Sequence, residues 1–453
     1  MTQANKITDN QSDLLQGLIE KAKRQGATDA DAIFVDSRSV SAAQRFGKPE
    51  SVERSESHDL GLRVLVGKRQ AVVSTTDHKP DALDELVERA VAMAKATPED
   101  AYAGLADPSD IAKTYADIDM HDPSEPSAER LVERATAAED AALSVKGVTN
   151  TEGGEAGWSS SRIVLVASNG FSGTYQRSSH SVSAVVLAGE GQGMERDYDY
   201  SHTVYEADLE DPAEIGRRAG ERAVRRLNPK RPSSASVPVV YDPRASRSLV
   251  GHVASALNGA SVARGTSFLK DAMGTAIFAG GINIIDDPSR SRGMRSKPFD
   301  AEGLAPERRA IIEGGIVRSW FMDQATARQL GLKSTGHASR STSGTPGPSP
   351  TNLYLEAGDV SPEELIADIV SGIYVNELMG MSVNMVTGDY SRGAGGFWIE
   401  NGEITYPVSD VTVAGNLKDM YAALIPANDL EIKHGTDAPT VRIDGMTVAG
   451  PGD

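Results

Sequence analysis

The chain has no cysteine among its 453 residues. Disulfides, thiolate zinc ligands and cysteine nucleophiles are excluded together, and the absence fits a cytosolic setting. Long apolar runs are lacking too. No stretch approaches the roughly 18 residues that a membrane span needs. The N-terminal MTQANKITDN has no apolar segment of the kind a secretory signal carries, so a cytoplasmic protein away from the membrane is expected. Positive charge is short: 46 Lys and Arg face 64 Asp and Glu, a formal charge of −18. Such a surface repels a phosphate backbone, which argues against nucleic acid as a direct partner. Metal-ligand spacing is also absent. No two of the 8 histidines stand three or four residues apart, and no HExxH occurs.

What is present is glycine, 44 residues of it, in a chain long enough for two or three domains. Leu14, Leu15, Leu18, Ile19 and Ala22 fall at helical spacing and Gly26 closes that helix. Leu60 to Val66, a Gly67-Lys68 turn and Ala71 to Ser74 predict a hairpin. Helices are predicted from Pro80 and over about Ser127 to Val145. From Gly147 to Val204 the pattern is strand-like: a hairpin about Asn169-Gly170, then a third strand with Val182, Ala184, Val186 and Ala188 alternating. A helix over about Pro212 to Leu227 carries five arginines, read as a solvated face that complements the helix dipole. The stretch NPKRPSSAS, Asn228 to Ser236, is the clearest linker. The fold class is therefore α/β (α+β). An N-terminal α/β region spans 1–229, divisible at about 120, and a β-rich C-terminal domain spans 230–453.

In the C-terminal region a strand (Val237 to Tyr241) and a helix (about Pro243 to Leu257) come first. The loop from Ser334 to Ser349 is Gly, Ser, Thr and Pro with little to bury, and is expected to be mobile in the isolated chain. Gly388, Gly393, Gly395 and Gly396 form a close-approach loop leading into Phe397, Trp398 and Ile399. Asn401-Gly402 is a two-residue turn, and Ile404, Tyr406 and Val408 alternate beyond it. Asp389, Tyr390 and Arg392, ahead of the glycine run, are the candidate substrate-facing residues.

Short catalytic patterns fail on inspection. Ser267-x-x-Lys270 and Ser382-x-Asn384 resemble two parts of a penicillin-binding signature, but the third part is out of order. Gly61 to Lys68 mimics a phosphate loop with the wrong spacing, and Arg69 stands where Ser or Thr should. Asp286 and Asp287, before Pro288, read as a turn rather than an acid–base pair.

Five blocks carry a resemblance. TGDYSRGAGGFWIENGEITYPVSDVTVAGNL (Thr387 to Leu417) is similar to the signature of the TldD/TldE (PmbA) family, and to its TldE branch in particular. SFLKDAMGTAIF (Ser267 to Phe278), LGLKSTGHAS (Leu330 to Ser339), PTNLYLEAGD (Pro350 to Asp359) and PTVRIDGMTVAG (Pro439 to Gly450) agree, in order. In the TldD branch a helix bears H-E-x-x-x-H, and a cysteine near the C-terminus completes a zinc site. Aligned on Gly265-Thr266-Ser267, those positions fall here on Val250, Gly251 and Ser255, and His252 is out of register.

The resemblance implies a subunit with no metal and no catalytic residue of its own, paired with a zinc-bearing TldD-like partner. The pair would act as a protease on unfolded or peptide-like substrates, peptide-antibiotic precursors and antitoxins among them. The family's older name, modulator of gyrase, implies DNA binding that this acidic composition does not support. Two other readings stay open: an autonomous hydrolase with an unrecognised non-metal site, and a homodimeric peptide-binding scaffold.

Overall fold

The computed structural model describes residues 3–380 and 382–451. The N-terminal region is built on one antiparallel six-stranded sheet, ordered β3-β2-β1-β4-β5-β6. Its strands are β1 (Asp29–Arg45), β2 (Lys48–Val66), β3 (Arg69–Thr75), β4 (Val148–Ala167), β5 (Ser172–Ala188) and β6 (Glu195–Thr203). Strand alternation assigns the two faces. Even-numbered residues such as Ala32, Phe34, Leu60, Leu62, Val164 and Val166 pack against α1 (Gln3–Arg24) and α2 (Pro80–Ala96). Further along the same face, Val182, Ala184 and Val186 lie under α3 (Ala128–Leu143) and α4 (Pro212–Arg225). Odd-numbered residues face the other way. Ile33, Ile163 and Leu165 bury against Phe299 from the C-terminal region.

The two segments expected as a hairpin arm and a separate third strand are one continuous strand, β5. The serines between them (Ser178, Ser179 and Ser181) pair with β4 without interruption, so a polar run that reads as a break is the ladder's half-exposed stretch.

In the C-terminal region, β7 (Ser233–Tyr241) pairs in parallel with strand Ser371–Met379 and antiparallel with strand Val441–Pro451. Strand Ser371–Met379 continues to Asp389–Glu400, that strand to Glu403–Asn416, and that one to Val441–Pro451. The five close into a ring, which removes free edges from this part of the domain. The inner residues of the ring share one core with the helix α5 (Pro243–Ala256). The Asn401-Gly402 turn is as read, with φ of 51° and 82°. The glycine run before it is not a loop but the body of strand Asp389–Glu400. A Cβ at Gly396 would stand 1.9 Å from the Tyr374 carbonyl oxygen, so the close approach there is of the neighbouring strand's backbone.

The segment from Ser334 to Ser349 also differs from expectation. It lacks apolar anchors but buries charge. The Arg340 side chain is fully buried and ion-paired to Asp31 of β1, which Arg63 of β2 also contacts, Nε to Oδ2, at 2.7 Å. A Cβ at Gly61 would fall 2.0 Å from the Thr342 carbonyl oxygen, so the loop lies directly on β2.

Candidate functional site

Helix α5 starts where β7 ends. Asp242 caps it by accepting from the Ala245 N–H at 2.9 Å, and Pro243 occupies the first turn, where its missing N–H costs nothing. Burial raises the Asp242 carboxyl to about 6, opposed by the cap bond and by Arg244. One face of the helix, with Ala245, Leu249, Val250 and Val253, enters the core. The other, with Arg244, Arg247, Ser248, Gly251 and Ser255, lines a cleft of about 570 Å³. Arg295, Pro348, Ser349, Pro350, His434 and Thr436 form its opposite wall. No Asp or Glu lines it.

Each polar wall residue is held in place. Arg244 pairs with Asp197 at 3.0 Å and lies over the Tyr198 ring at 4.4 Å. Arg247 Nη1 donates to the Tyr200 hydroxyl at 2.8 Å. Arg295 Nη1 reaches Thr436 Oγ1 at 3.3 Å. The His434 ring stands 5.2 Å from that of Tyr200, and its backbone N–H donates to Asp437 at 2.9 Å. Burial, then the Arg247 charge, holds the His434 imidazole below its ordinary range, with Asp437 opposing.

The three positions aligned with the metal-bearing motif part company here. Val250 is 2% exposed and belongs to the core. Gly251 and Ser255 face the cleft, where Ser255 Oγ donates to the Gly251 carbonyl at 3.0 Å. A Cβ at Gly251 would meet nothing within 4 Å, so close packing does not explain the glycine. An aliphatic chain, a hydrogen and a hydroxyl bonded to backbone do not make a zinc ligand set. No group of three or more His, Asp or Glu among the described residues is arranged to hold a metal ion.

Of the residues singled out from sequence, Tyr390, Arg392 and His252 come together. The His252 and Tyr390 rings are 6.0 Å apart, edge to face. Burial, then the Arg392 charge, lowers His252 to about 4, so it is neutral at neutral pH. Tyr390 is 1% exposed, and burial pushes its phenol up to about 12. Arg392 is half-buried, with no hydrogen-bond partner for its Nε among the described residues. Asp389 is exposed and accepts from Thr387 Oγ1 at 2.6 Å and from Asn416 Nδ2 at 3.1 Å, bonds that hold its carboxyl below the usual range.

Asp287 makes the turn as read, accepting from the Ser289 N–H at 3.0 Å, while Asp286 ends a short strand just ahead of it. Asp286 is fully buried, bonded to Thr351 and, at 3.1 Å, to His337, whose Nδ1 is 2.8 Å from Thr335 Oγ1. The order of groups is that of a hydroxyl nucleophile, base and orienting acid. Yet Thr335 is 8% exposed, also accepts from the Met322 N–H at 2.8 Å, and lines no part of the cleft. This relay ties three segments together, and its hydroxyl is buried.

The cleft residues Arg244, Arg247, Arg295 and His434 were not among the sequence candidates. A signal existed on α5 alone: Arg244, Arg247, Ser248, Gly251 and Ser255 make a polar stripe at helical spacing on an otherwise apolar helix. Arg295 and His434 come from loops that only the tertiary fold brings alongside.

Comparison with known proteins covers nearly the whole chain. Three family models match in order: PmbA/TldA metallopeptidase domain 1 over residues 30–94, the central domain over 121–227 and the C-terminal domain over 234–450. Metalloprotease PmbA of Escherichia coli O157:H7 is 38% identical over 413 residues, 91% of this chain and 90% of that protein. The PmbA homolog of Haemophilus influenzae is 32% identical over 95% of this chain and 94% of its own length. Among solved structures, a Bacteroides thetaiotaomicron protein provisionally assigned as a modulator of DNA gyrase superposes with a TM-score of 0.90. It is 29% identical, covering 98% of this chain and 100% of that one. TldE from Thermococcus kodakarensis, at 21% identity and a TM-score of 0.85, shares the fold over 96% of this chain and 100% of its own.

Proposed function

The chain belongs to the PmbA/TldD metallopeptidase family, and from that premise we propose that it is the TldE-like, non-catalytic subunit of a two-chain cytoplasmic zinc metalloprotease acting on unfolded or peptide-like substrates. The observation that carries this reading is α5. Where the metal-bearing branch has its ligands and base, this helix presents Val250 to the core and Gly251 and Ser255 to an open cleft. Zinc hydrolysis needs three protein ligands, an open position and a base, and the partner must bring them.

The contribution of this chain is a wall for an extended substrate. Strand β2 pairs with β3 only over Leu60 to Val66, so its first half, Lys48 to Asp59, pairs with β1 alone among the described residues and leaves its other edge open. Such an edge offers main-chain hydrogen bonds to an extended peptide or partner strand. The β1–β2 hairpin also exposes Phe46 (53%) and Val52 (50%), apolar side chains suited to contact with a partner. On the half-exposed part of the sheet away from the helices, serines pair across strands, Ser37 with Ser161 at 2.9 Å and Ser159 with Ser179 at 2.8 Å, giving a polar floor.

The test is assembly. Co-expression with a TldD-like chain that has an intact H-E-x-x-x-H should give a co-eluting hetero-oligomer, weakened by Phe46→Asp with Val52→Asp. A stable homodimer that excludes the TldD-like chain would replace this reading with a homodimeric peptide-binding scaffold.

A further inference from the structure

The α5 cleft is at odds with the composition of the chain. The protein carries a formal charge of −18, yet this cleft of about 570 Å³ is lined by three arginines and one histidine and by no carboxylate. Arg244 is neutralised by Asp197 behind it. Arg247 and Arg295 have no carboxylate partner among the described residues; each is held by a neutral hydroxyl, of Tyr200 and Thr436 respectively. Two guanidinium groups thus donate to neutral acceptors that leave their charge uncompensated.

His434 lines this cleft and also an adjoining one of about 260 Å³. The two acids of the adjoining cleft are already paired, Asp208 with Arg292 at 3.0 Å and Glu210 with Lys433 at 3.3 Å. Arg290 lines it too, without a carboxylate partner among the described residues. The linings of both clefts carry more cationic than anionic side chains.

We propose that Arg247 and Arg295, with His434 beside them, form a carboxylate-binding subsite that anchors an acidic side chain or the C-terminal carboxylate of a peptide substrate. The proposal deepens the peptide-handling reading above and rests on it. Guanidinium planes match carboxylate geometry with two parallel N–H···O bonds, stronger than neutral hydrogen bonds. Arg247 is half-buried, so a pair it makes is screened less than one in open solvent. The open space at Gly251 and the small Ser255 leave room for the ligand between the two walls.

The test is binding of fluorescein-labelled hexapeptides to the purified full-length chain, in the absence of any partner. Four peptides combine a free or amidated C-terminus with an internal Glu or Gln. Loss of at least about tenfold in affinity on amidation assigns the subsite to the chain terminus; the same loss on Glu→Gln assigns it to a side chain. Arg247→Gln and Arg295→Gln should each remove that preference. Ser255→Glu serves as a second variant that does not depend on truncating the arginines: Ser255 is exposed, and a carboxylate placed there should occupy the subsite and abolish the preference without unfolding the chain. Equal affinity for all four peptides, no measurable binding of any, or a preference that survives both arginine variants would overturn the proposal. So would displacement of the peptide by an equimolar short oligonucleotide, which would assign the cleft to phosphates. Partner-dependent cleavage is measured separately, so the subunit reading can stand if the subsite fails, and the reverse.

Discussion

Asp31 and Arg340 lie 309 residues apart and form an ion pair buried between the two halves of the chain. The Arg340 and Asp31 carboxylate contact is completed by Arg63, so one carboxylate serves two guanidinium groups. Burial opposes ionisation of Asp31, but the two arginines win and hold its carboxyl below the usual range. The loop that carries Arg340 is thereby fastened to the N-terminal sheet by charge and by the backbone contact at Gly61.

Removing the shared carboxylate should cost more than removing one arginine. Asp31→Ala leaves two buried cations facing each other and should destabilise the chain by about 3–5 kcal/mol, the range for breaking a buried ion pair. Arg340→Ala leaves the Asp31–Arg63 pair intact and should cost less, while making residues 340–346 the first site of limited proteolysis. Gly61→Ala should release the loop in the same way. Urea unfolding and timed proteolysis check the order; equal costs for Asp31→Ala and Arg340→Ala would contradict it.

Glu302 gives a pH dependence. It is buried, and burial raises its carboxyl to about 8; Asp300 and Asp323 add to this, while Arg63 and the Gln324 N–H, which donates at 2.8 Å, oppose it. The folded value lies above the unfolded one, so the native state holds a proton that the unfolded chain releases. Stability should therefore fall as pH rises from about 4.5 through 8, then level off. Glu302→Gln keeps the bond from Gln324 and should flatten that slope, gaining on the order of a few kcal/mol at pH 9 relative to wild type. Parallel urea midpoints for both proteins from pH 5 to pH 9 would contradict this.

A graft of the metal motif should divide by position. Gly251→Glu and Ser255→His point into the cleft and should change stability by no more than about 0.5 kcal/mol. Val250→His buries an imidazole in an apolar core and should cost about 2–4 kcal/mol. The triple variant should bind zinc weakly at best. Stoichiometric zinc in the dialysed triple variant at wild-type stability would show that the helix positions are arranged otherwise.

The sequence made much of this legible where a pattern is local. The amphipathic spacing of α2, the Gly67-Lys68 turn and the Asn401-Gly402 turn depend on neighbours a few residues away, and the structure has them. What was hidden depends on contacts distant in sequence. The loop around Arg340 reads as having nothing to bury, because its partner Asp31 is on another sheet. The glycines at 393–396 read as a loop, because the strand that crowds Gly396 lies some twenty residues upstream. Tyr390 reads as a projecting side chain, while ring closure of the barrel turns it inward. The missing metal motif could be read directly; the cationic cleft that Gly251 and Ser255 face could not.

Among the residues first picked out, Asp389 remains exposed and Arg392 half-buried, and both stay in the proposed substrate-facing set. Asp389→Ala with Arg392→Ala should reduce partner-dependent cleavage several-fold at unchanged melting temperature. Tyr390→Ala, by contrast, should act through stability, costing about 3–5 kcal/mol as a large buried aromatic. Loss of activity in Tyr390→Phe at full stability would give its hydroxyl a direct role instead.

The subunit reading stands or falls on cleavage of a fluorogenic unstructured peptide by this chain alone, by a TldD-like chain alone and by their mixture, each with and without a zinc chelator. This chain alone should give no turnover, and the mixture strong turnover that chelator abolishes. Chelator-insensitive turnover by this chain alone, persisting through repeated purification, would contradict that reading.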